Sequence, residues 1–283
     1  MSLVALNIGH DLRHAVARGN KMKKIAVCGK GGCGKSAVVA LMTHGLRKRN
    51  YRVLVVDSDE SNPSLYRMLG FDRPAKPLME LIRGTESGEK EIAAMLLSIG
   101  PNARTKVMGQ KQISASDIPP QYIPEMDGIR LVSIGKIVQS LEGCACALAA
   151  LTKEFLEKLH LEARDVLIAD MEAGVEHFGR GVETSLDSVL VVIDPSYESL
   201  MIAEKVKSLT AEIDIGEVWA VLNKVPSDEL ASRLRRELDK KDIPVAGCIR
   251  FDPAIFEAGL EGCQICGGIA AEDIEEVLDS LLF

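Results

Sequence analysis

The stretch KIAVCGKGGCGKS, residues 24–36, joins a short apolar run to a glycine-rich loop. Its second half fits the phosphate-binding pattern G-x-x-x-x-G-K-[ST], which requires a strand before the loop and a helix after it. The fixed positions of this pattern are Gly29, Gly34, Lys35 and Ser36. The flanking residues predict that strand and that helix, so a chance glycine-rich turn is the weaker interpretation. Lys30 is an additional lysine that the pattern does not require.

The composition of the loop indicates how a triphosphate would be bound. Glycines let successive backbone N–H groups turn toward one centre, where an anion also meets the positive end of the helix dipole. Lys35 would reach the β and γ phosphates of ATP, and the Ser36 hydroxyl would ligate Mg²⁺. Cys33 occupies a free position, for which a small residue is sufficient. The predicted nucleotide-binding positions of the loop are Gly29, Gly31, Gly32, Cys33, Gly34, Lys35 and Ser36.

Short apolar runs alternate with amphipathic segments along the rest of the chain. The runs are rich in β-branched residues and apolar on both faces, as buried parallel strands are. They lie at 24–28, 53–57, 129–134, 166–170, 189–193, 218–222 and 245–249, and helical patterns lie at 35–49, 197–212, 227–241 and 271–282. This order predicts an α/β fold with one doubly wound, mainly parallel sheet and helices on both faces. Ligands of such sheets bind at the carboxyl ends of the strands.

We predict one P-loop ATPase domain over residues 22–283, with a polar insertion at about 84–127. Four prolines mark that insertion, which we expect to hold a helix at 87–98 followed by a loop. Residues 1–21 are expected to be an N-terminal extension without stable structure. His10 and His14 have a spacing that could bind a metal on a helix, but we assign this extension no function.

Composition limits the class of protein. The 283 residues are 47% hydrophobic, yet no run approaches the roughly 20 apolar residues of a membrane helix. We therefore expect a soluble, cytoplasmic protein without a membrane partner. A net charge of −7 and only 4% aromatic residues argue against nucleic acid as a partner. The seven cysteines lack the spacing of a secreted disulfide scaffold, so they are better interpreted as thiols or metal ligands.

The segment KGGCGKS, residues 30–36, resembles the deviant Walker A loop of the P-loop ATPases that include MinD, ParA, the arsenite-pump ATPase and the nitrogenase iron protein. In that family the extra lysine reaches across a dimer interface to the phosphates of the partner's nucleotide. The resemblance implies that Lys30 and Lys35 are both catalytic and that ATP binding produces a homodimer. A second cation at the γ-phosphate would stabilise phosphoryl transfer.

The same resemblance assigns roles to polar residues at strand ends. It implies that Asp57 assists Mg²⁺ through water, that Asp59 orients the attacking water, and that Asp170 is the Walker B-like Mg²⁺ residue. Gly174 matches the switch II glycine that senses the γ-phosphate. The strand at 218–222 is followed by Asn223 and Lys224. In this family an asparagine at this position commonly contacts the amide edge of the adenine. Single strand-end aspartates are usually caps or turn residues, and Asn-Lys after a strand could equally be a turn.

Two better-known branches of the family fit poorly. Membrane positioning, as in MinD, would require a basic amphipathic helix at the C-terminus. Here the segment 270–283 carries five acids and no base, so an anionic membrane would repel it. The nitrogenase iron protein has a cluster-binding cysteine just after the switch II strand, where this chain has Met171, Glu172 and Ala173.

The segment EGCACALAAL, residues 142–151, places Cys144 and Cys146 one residue apart before a helical run. Two thiols at this spacing cannot easily form an unstrained disulfide, but both can point toward one soft metal ion. A two-fold dimer would supply four thiolates, the number for a tetrahedral site. Two small residues packing at a helix start is the competing interpretation.

The stretch DMEAGVEHFGRG, residues 170–181, together with this Cys-x-Cys pair, resembles the CooC-type ATPases, which serve nickel insertion into carbon monoxide dehydrogenase. The resemblance implies that Cys144 and Cys146 of two subunits hold Ni²⁺, with Zn²⁺ as a possible substitute, and release it to the client enzyme. Acetyl-CoA synthase is an alternative client. The switch stretch also contains three polar residues that could relay the phosphate state of the bound nucleotide to the dimer interface: Glu172, Glu176 and His177. The simpler interpretation is that they are polar residues at the surface.

A second cysteine pair, Cys263 and Cys266 in EGCQICGG, has the spacing of a metal knuckle. It could form a second metal site, a redox pair, or only part of a tight glycine-flanked loop. If it joined Cys144 and Cys146, the metal site would be intramolecular. An iron–sulfur carrier or electron-transfer ATPase of the same superfamily is the alternative function, and a regulatory or partitioning ATPase is a third.

Overall fold

The computed structural model describes residues 23–59, 62–83, 109–135, 145–178, 181–213 and 215–282. The predicted extension at 1–21, the predicted helix at 87–98 and Cys144 lie outside these residues. The described part of the chain forms one eight-stranded sheet with helices on both faces. No helix in these ranges is both long and apolar enough to cross a bilayer.

Every predicted strand is present in the sheet. Their strand order is β3-β4-β2-β5-β1-β6-β7-β8, and all neighbours are parallel except β3 and β4. The strands are β1 (Lys24–Gly29), β2 (Arg52–Asp57), β3 (Glu125–Met126), β4 (Ile129–Ser133), β5 (Asp165–Asp170), β6 (Ser188–Ile193), β7 (Glu217–Val225) and β8 (Val245–Arg250). The prediction of a mainly parallel, doubly wound α/β sheet is confirmed.

The short strand β3 corrects the prediction that the chain remains a loop up to residue 127. β3 pairs antiparallel with β4 across a two-residue turn formed by Asp127 and Gly128. Their φ angles of 48° and 74° are both positive, as the tight hairpin turns of type I′ require. Asp-Gly is a strong hairpin signal, but the polar, two-residue strand before it has no alternating pattern of its own.

Helices occupy the segments predicted at 35–49, 197–212, 227–241 and 271–282, and further helices lie elsewhere in the described residues. They are α1 (Lys35–Lys48), α2 (Leu65–Met68), α3 (Leu78–Arg83), α4 (Ala145–Lys158), α5 (Tyr197–Glu212), α6 (Asp228–Asp239), α7 (Pro253–Glu261) and α8 (Ile269–Leu282), with 3₁₀ turns at Ala115–Asp117 and Val182–Ser185. Side chains cap several starts: Ser196 accepts from the Ser199 N–H before α5, and Ser227 accepts from the Leu230 N–H before α6. Such caps satisfy amide groups that the helix itself leaves unpaired.

The sheet separates two hydrophobic clusters. Ile25 and Val27 of β1 face a cluster with α1, α2 and α8, whereas Ala26 and Cys28 face a cluster with α4, α5 and α6. Strand side chains alternate between faces, and burial on both faces explains why these strands read as continuous apolar runs. The parallel pairing brings the carboxyl ends of β1, β2, β5, β6 and β7 to one edge, where the predicted site residues lie.

Candidate nucleotide and magnesium site

The glycine-rich loop leaves β1 at Gly29 and enters α1 at Lys35. Gly34, just before the helix, has a φ of 98°, a left-handed conformation that favours glycine. A Cβ atom on Gly29 would lie 2.7 Å from the Val192 carbonyl oxygen of β6, closer than side chains tolerate. Lys35 is only 6% exposed, so this lysine is buried at the start of α1.

The end of β7 supports this loop from the far side. The Asn223 side-chain amide donates to the Cys33 carbonyl oxygen at 2.8 Å, and the Lys224 amine donates to the Gly32 carbonyl oxygen at 2.7 Å. Asn223 is buried, whereas Lys224 is exposed and has a positive φ of 58°. Both residues thus hold the backbone that would cradle phosphate. The role of Asn223 in reading adenine stays a prediction.

Ser36 lies at the centre of a polar cluster formed by three segments of chain. Its hydroxyl donates to Asp170 Oδ2 at 2.6 Å, and the Asn62 amide donates to the Ser36 oxygen at 2.5 Å. Asp57 and Asp59 are 6% and 5% exposed, so two further carboxylates are buried in this part of the molecule. Asn62 was not singled out from the sequence, since its contact with Ser36 spans 26 residues and no local pattern marks it.

Asp170 is the residue whose protonation is most affected by this arrangement. Its pKa is raised from 3.8 to about 7, with complete burial as the largest cause. The charges of Asp57 and Asp59 also raise the pKa, whereas the Ser36 hydrogen bond and the charge of Lys35 lower it. Among the described residues, Asp170 Oδ1 has no hydrogen-bond partner. A buried carboxylate oxygen without a donor, close to a hydroxyl and two more carboxylates, fits a hard cation such as Mg²⁺, which prefers oxygen ligands.

Lys30 leaves the loop in the direction of α5. Its amine lies 3.0 Å from Asp194 Oδ2 and donates to the Ser196 hydroxyl at 3.2 Å, and Glu198 Oε2 is 3.9 Å away. The hydrogen bond that Lys30 donates to the Asp194 carboxylate is the largest cause that raises the pKa of Lys30. Asp194 follows β6 directly and was missed, because only the sheet order brings β6 beside β1. That Lys30 acts on a partner's nucleotide stays a prediction.

The segment after β5 contacts the loop directly. The Gly174 N–H donates to the Gly29 carbonyl oxygen at 3.1 Å, and Gly174 has a φ of 90°. The Val175 N–H donates to Glu176 Oε2 at 2.9 Å. His177 is 3% exposed and its ring centroid lies 4.7 Å from that of Phe178, which corrects the simpler interpretation of this histidine as a surface residue.

The predicted metal-binding cysteines are described only in part. Cys144 lies outside the described residues, and Cys146 falls in the first turn of α4 without a described side chain. Cys263 and Cys266 are exposed free thiols. In the part of the chain that the structure describes, no three His, Cys, Asp or Glu side chains form a group that could hold a metal ion.

A phosphate loop between β1 and α1, with buried carboxylates at the ends of β2 and β5, defines a P-loop nucleoside triphosphatase. The chain belongs to the ParA/MinD family of these proteins, since the family model described as "ParA: NUBPL iron-transfer P-loop NTPase" matches residues 20–225. It is an ATP-binding enzyme of the ATPase class.

Individual relatives agree with this assignment. An uncharacterized ATP-binding protein of Methanocaldococcus jannaschii is 36% identical over 90% of this chain and 99% of that protein. The carbon monoxide dehydrogenase accessory protein CooC of Rhodospirillum rubrum is 30% identical over 84% of this chain and 88% of that protein. The cell division ATPase MinD of Pyrococcus furiosus has a TM-score of 0.62 at 21% identity, covering 92% of this chain and 98% of that one, which shows the shared fold.

Proposed function

We propose that this ATPase is a metallochaperone that delivers Ni²⁺ to carbon monoxide dehydrogenase or to a related nickel enzyme. The observation that carries the proposal is the 30% identity to the accessory protein CooC along most of both chains. The Cys-x-Cys pair at Cys144 and Cys146 adds a soft-ligand set suited to Ni²⁺. A cytoplasmic location follows for a protein whose client and nucleotide are both found there.

The proposed cycle begins with ATP at the loop. Lys35 and the loop amides bind the phosphates, while Ser36 and Asp170, with Asp57 acting through water, would hold Mg²⁺, which neutralises charge on the γ-phosphate. Asp59 orients the attacking water. Lys30 exchanges its contact with Asp194 for the γ-phosphate of the partner's ATP, so that nucleotide binding closes a homodimer.

Metal capture is linked to this closure by symmetry. One chain supplies two thiolates from Cys144 and Cys146, and the two-fold dimer supplies four. ATP hydrolysis removes the contact between Lys30 and the partner's phosphate, opens the interface, and leaves each half-site with two ligands. The ion then exchanges onto the client enzyme.

Nickel titration tests this proposal on reduced, oxygen-free protein that carries Cys263→Ser and Cys266→Ser, so that the Cys-x-Cys pair is assayed without the second thiol pair. With a non-hydrolysable ATP analogue and Mg²⁺, we expect dimers on sizing chromatography and about one Ni²⁺ per dimer. The double variant Cys144→Ala/Cys146→Ala should dimerise but bind no Ni²⁺ at this site, whereas Cys248→Ser, a half-buried cysteine of β8, should behave as wild type. Nickel binding by nucleotide-free monomers with equal affinity would contradict the proposal.

An iron–sulfur carrier is the second candidate. It is favoured by the iron-transfer description of the matching family and by 22% identity to an iron–sulfur cluster carrier protein of Mycobacterium leprae. Chemical analysis of protein purified without oxygen separates the two: stoichiometric iron and acid-labile sulfide favour the carrier, and their absence with nickel uptake favours the chaperone. A regulatory or partitioning ATPase would remain active without either thiol of the Cys-x-Cys pair.

A further inference from the structure

The second cysteine pair lies in a loop, residues 262–268, that joins α7 to α8. Gly262 ends α7 with a φ of 67°, and Gly268 precedes α8 with a φ of 84°. Between the two cysteines, Ile265 is 2% exposed and its N–H donates to the Met68 carbonyl oxygen at 3.0 Å. The loop is therefore anchored at its centre, while both thiols beside the anchor remain exposed.

This loop and α4 pack on opposite faces of the sheet. Ile265 belongs to the cluster that contains α1 and α8, whereas Leu151 and Phe155 of α4 belong to the cluster on the other face. Cys146 belongs to the first turn of α4, so the sheet lies between the helix that carries Cys146 and the loop that carries Cys263 and Cys266. We therefore consider Cys263 and Cys266 as a pair of their own.

Packing does not account for this pair. Cys28 and Cys33 are fully buried members of the two clusters, whereas Cys263 and Cys266 are exposed and belong to neither cluster. Two cysteines separated by two residues can bring both sulfurs to one metal ion, at about 2.3 Å for zinc. Gly262 and Gly267 have open space around them, so small rotations there can orient the sulfurs toward one ion.

We propose that Cys263 and Cys266 bind one thiophilic divalent ion, such as Zn²⁺ or Ni²⁺, in each chain. Both thiols release a proton to solvent, the two thiolates occupy two coordination positions, and water or a small solute ligand completes the rest. The open side of such a site permits exchange of the ion with another protein's ligands. This site is independent of the nucleotide, of dimerisation and of the metallochaperone function proposed above.

Zinc titration of the full-length, reduced protein without nucleotide tests the site. The variant Cys144→Ser/Cys146→Ser should still bind about one Zn²⁺ per chain, and the further changes Cys263→Ser and Cys266→Ser should remove that equivalent. Substituting Co²⁺ for Zn²⁺ should give a thiolate-to-metal charge-transfer absorption that follows the same pattern. The Cys248→Ser variant is the matched control, and an unchanged circular dichroism spectrum and urea-unfolding midpoint verify that each variant folds.

The outcomes decide between the interpretations of the pair. If the Cys144→Ser/Cys146→Ser protein binds no metal, or if the fourfold variant binds as much as its parent, the second site is refuted. A pair that forms a reversible disulfide with oxidised glutathione but takes no metal when reduced is a redox pair, which also refutes the proposal. Loss of nucleotide-dependent Ni²⁺ binding at the first pair leaves this test unaffected, so the two proposals fail separately.

Discussion

Replacing Asp170 by asparagine is expected to stabilise the metal-free protein at alkaline pH while abolishing ATP hydrolysis. The carboxylate is completely buried beside two others, and one of its oxygens has no hydrogen-bond partner among the described residues. Asparagine retains an oxygen that can accept from Ser36, and it removes the buried negative charge. The same change removes a carboxylate that the proposed Mg²⁺ needs, so activity is lost.

The size of the effect follows from the pKa of Asp170. The difference between 3.8 and about 7 corresponds to roughly 4 kcal/mol of penalty on the ionised form. Because the folded-state pKa is raised, the folded chain binds this proton more tightly than the unfolded chain does. The free energy of unfolding therefore falls as pH rises between about 4 and about 7. An amide group without a partner costs about 1–3 kcal/mol, so we expect a net gain of about 1–3 kcal/mol at about pH 8.5.

Urea unfolding without nucleotide or divalent ions, at about pH 5 and about pH 8.5, measures this prediction. The Asp170→Asn variant should be more stable than wild type only at the higher pH. Asp165→Asn, at the other end of β5, is the matched control: Asp165 accepts from Arg52 at 2.7 Å, so its loss should destabilise. If Asp170→Asn were less stable than wild type at about pH 8.5, the argument from buried charge would be wrong.

Three further predictions concern the loop and its neighbours. Asn223→Ala should lower the free energy of unfolding by about 1–3 kcal/mol in a urea titration without nucleotide, because it leaves the buried Cys33 carbonyl unpaired. In the same titration the control variant Lys224→Met, at an exposed site, should cost under about 1 kcal/mol. Asp194→Asn should free Lys30 and lower the ATP concentration needed for dimerisation by roughly two- to five-fold in light scattering; an unchanged or raised concentration would contradict the trans role of Lys30. Gly29→Ala should abolish ATP binding in calorimetry, because its methyl group would collide with the β6 backbone; ordinary affinity would refute that geometry.

Local sequence patterns were sufficient to predict seven of the eight strands and the position of the glycine-rich loop. The predicted strands appear within one to three residues of their expected limits, because strands buried on both faces cannot tolerate polar residues. The loop from Gly29 to Ser36 follows from its own spacing, since its glycines serve a backbone conformation that depends little on the rest of the chain. The prediction that the strand-end residues Asp57 and Asp170 lie near the loop also needs only the rule that parallel sheets bind ligands at one edge.

Only the tertiary structure decided which of these groups meet. The strand order places β6 beside β1 and thereby brings Asp194 to Lys30, and it places β7 where Asn223 supports the loop. The positions of α4 and of the loop at 262–268 on opposite faces depend on the same order. Local periodicity reports only which face of an element is apolar, whereas partners that lie far apart in sequence are chosen by packing of the whole sheet.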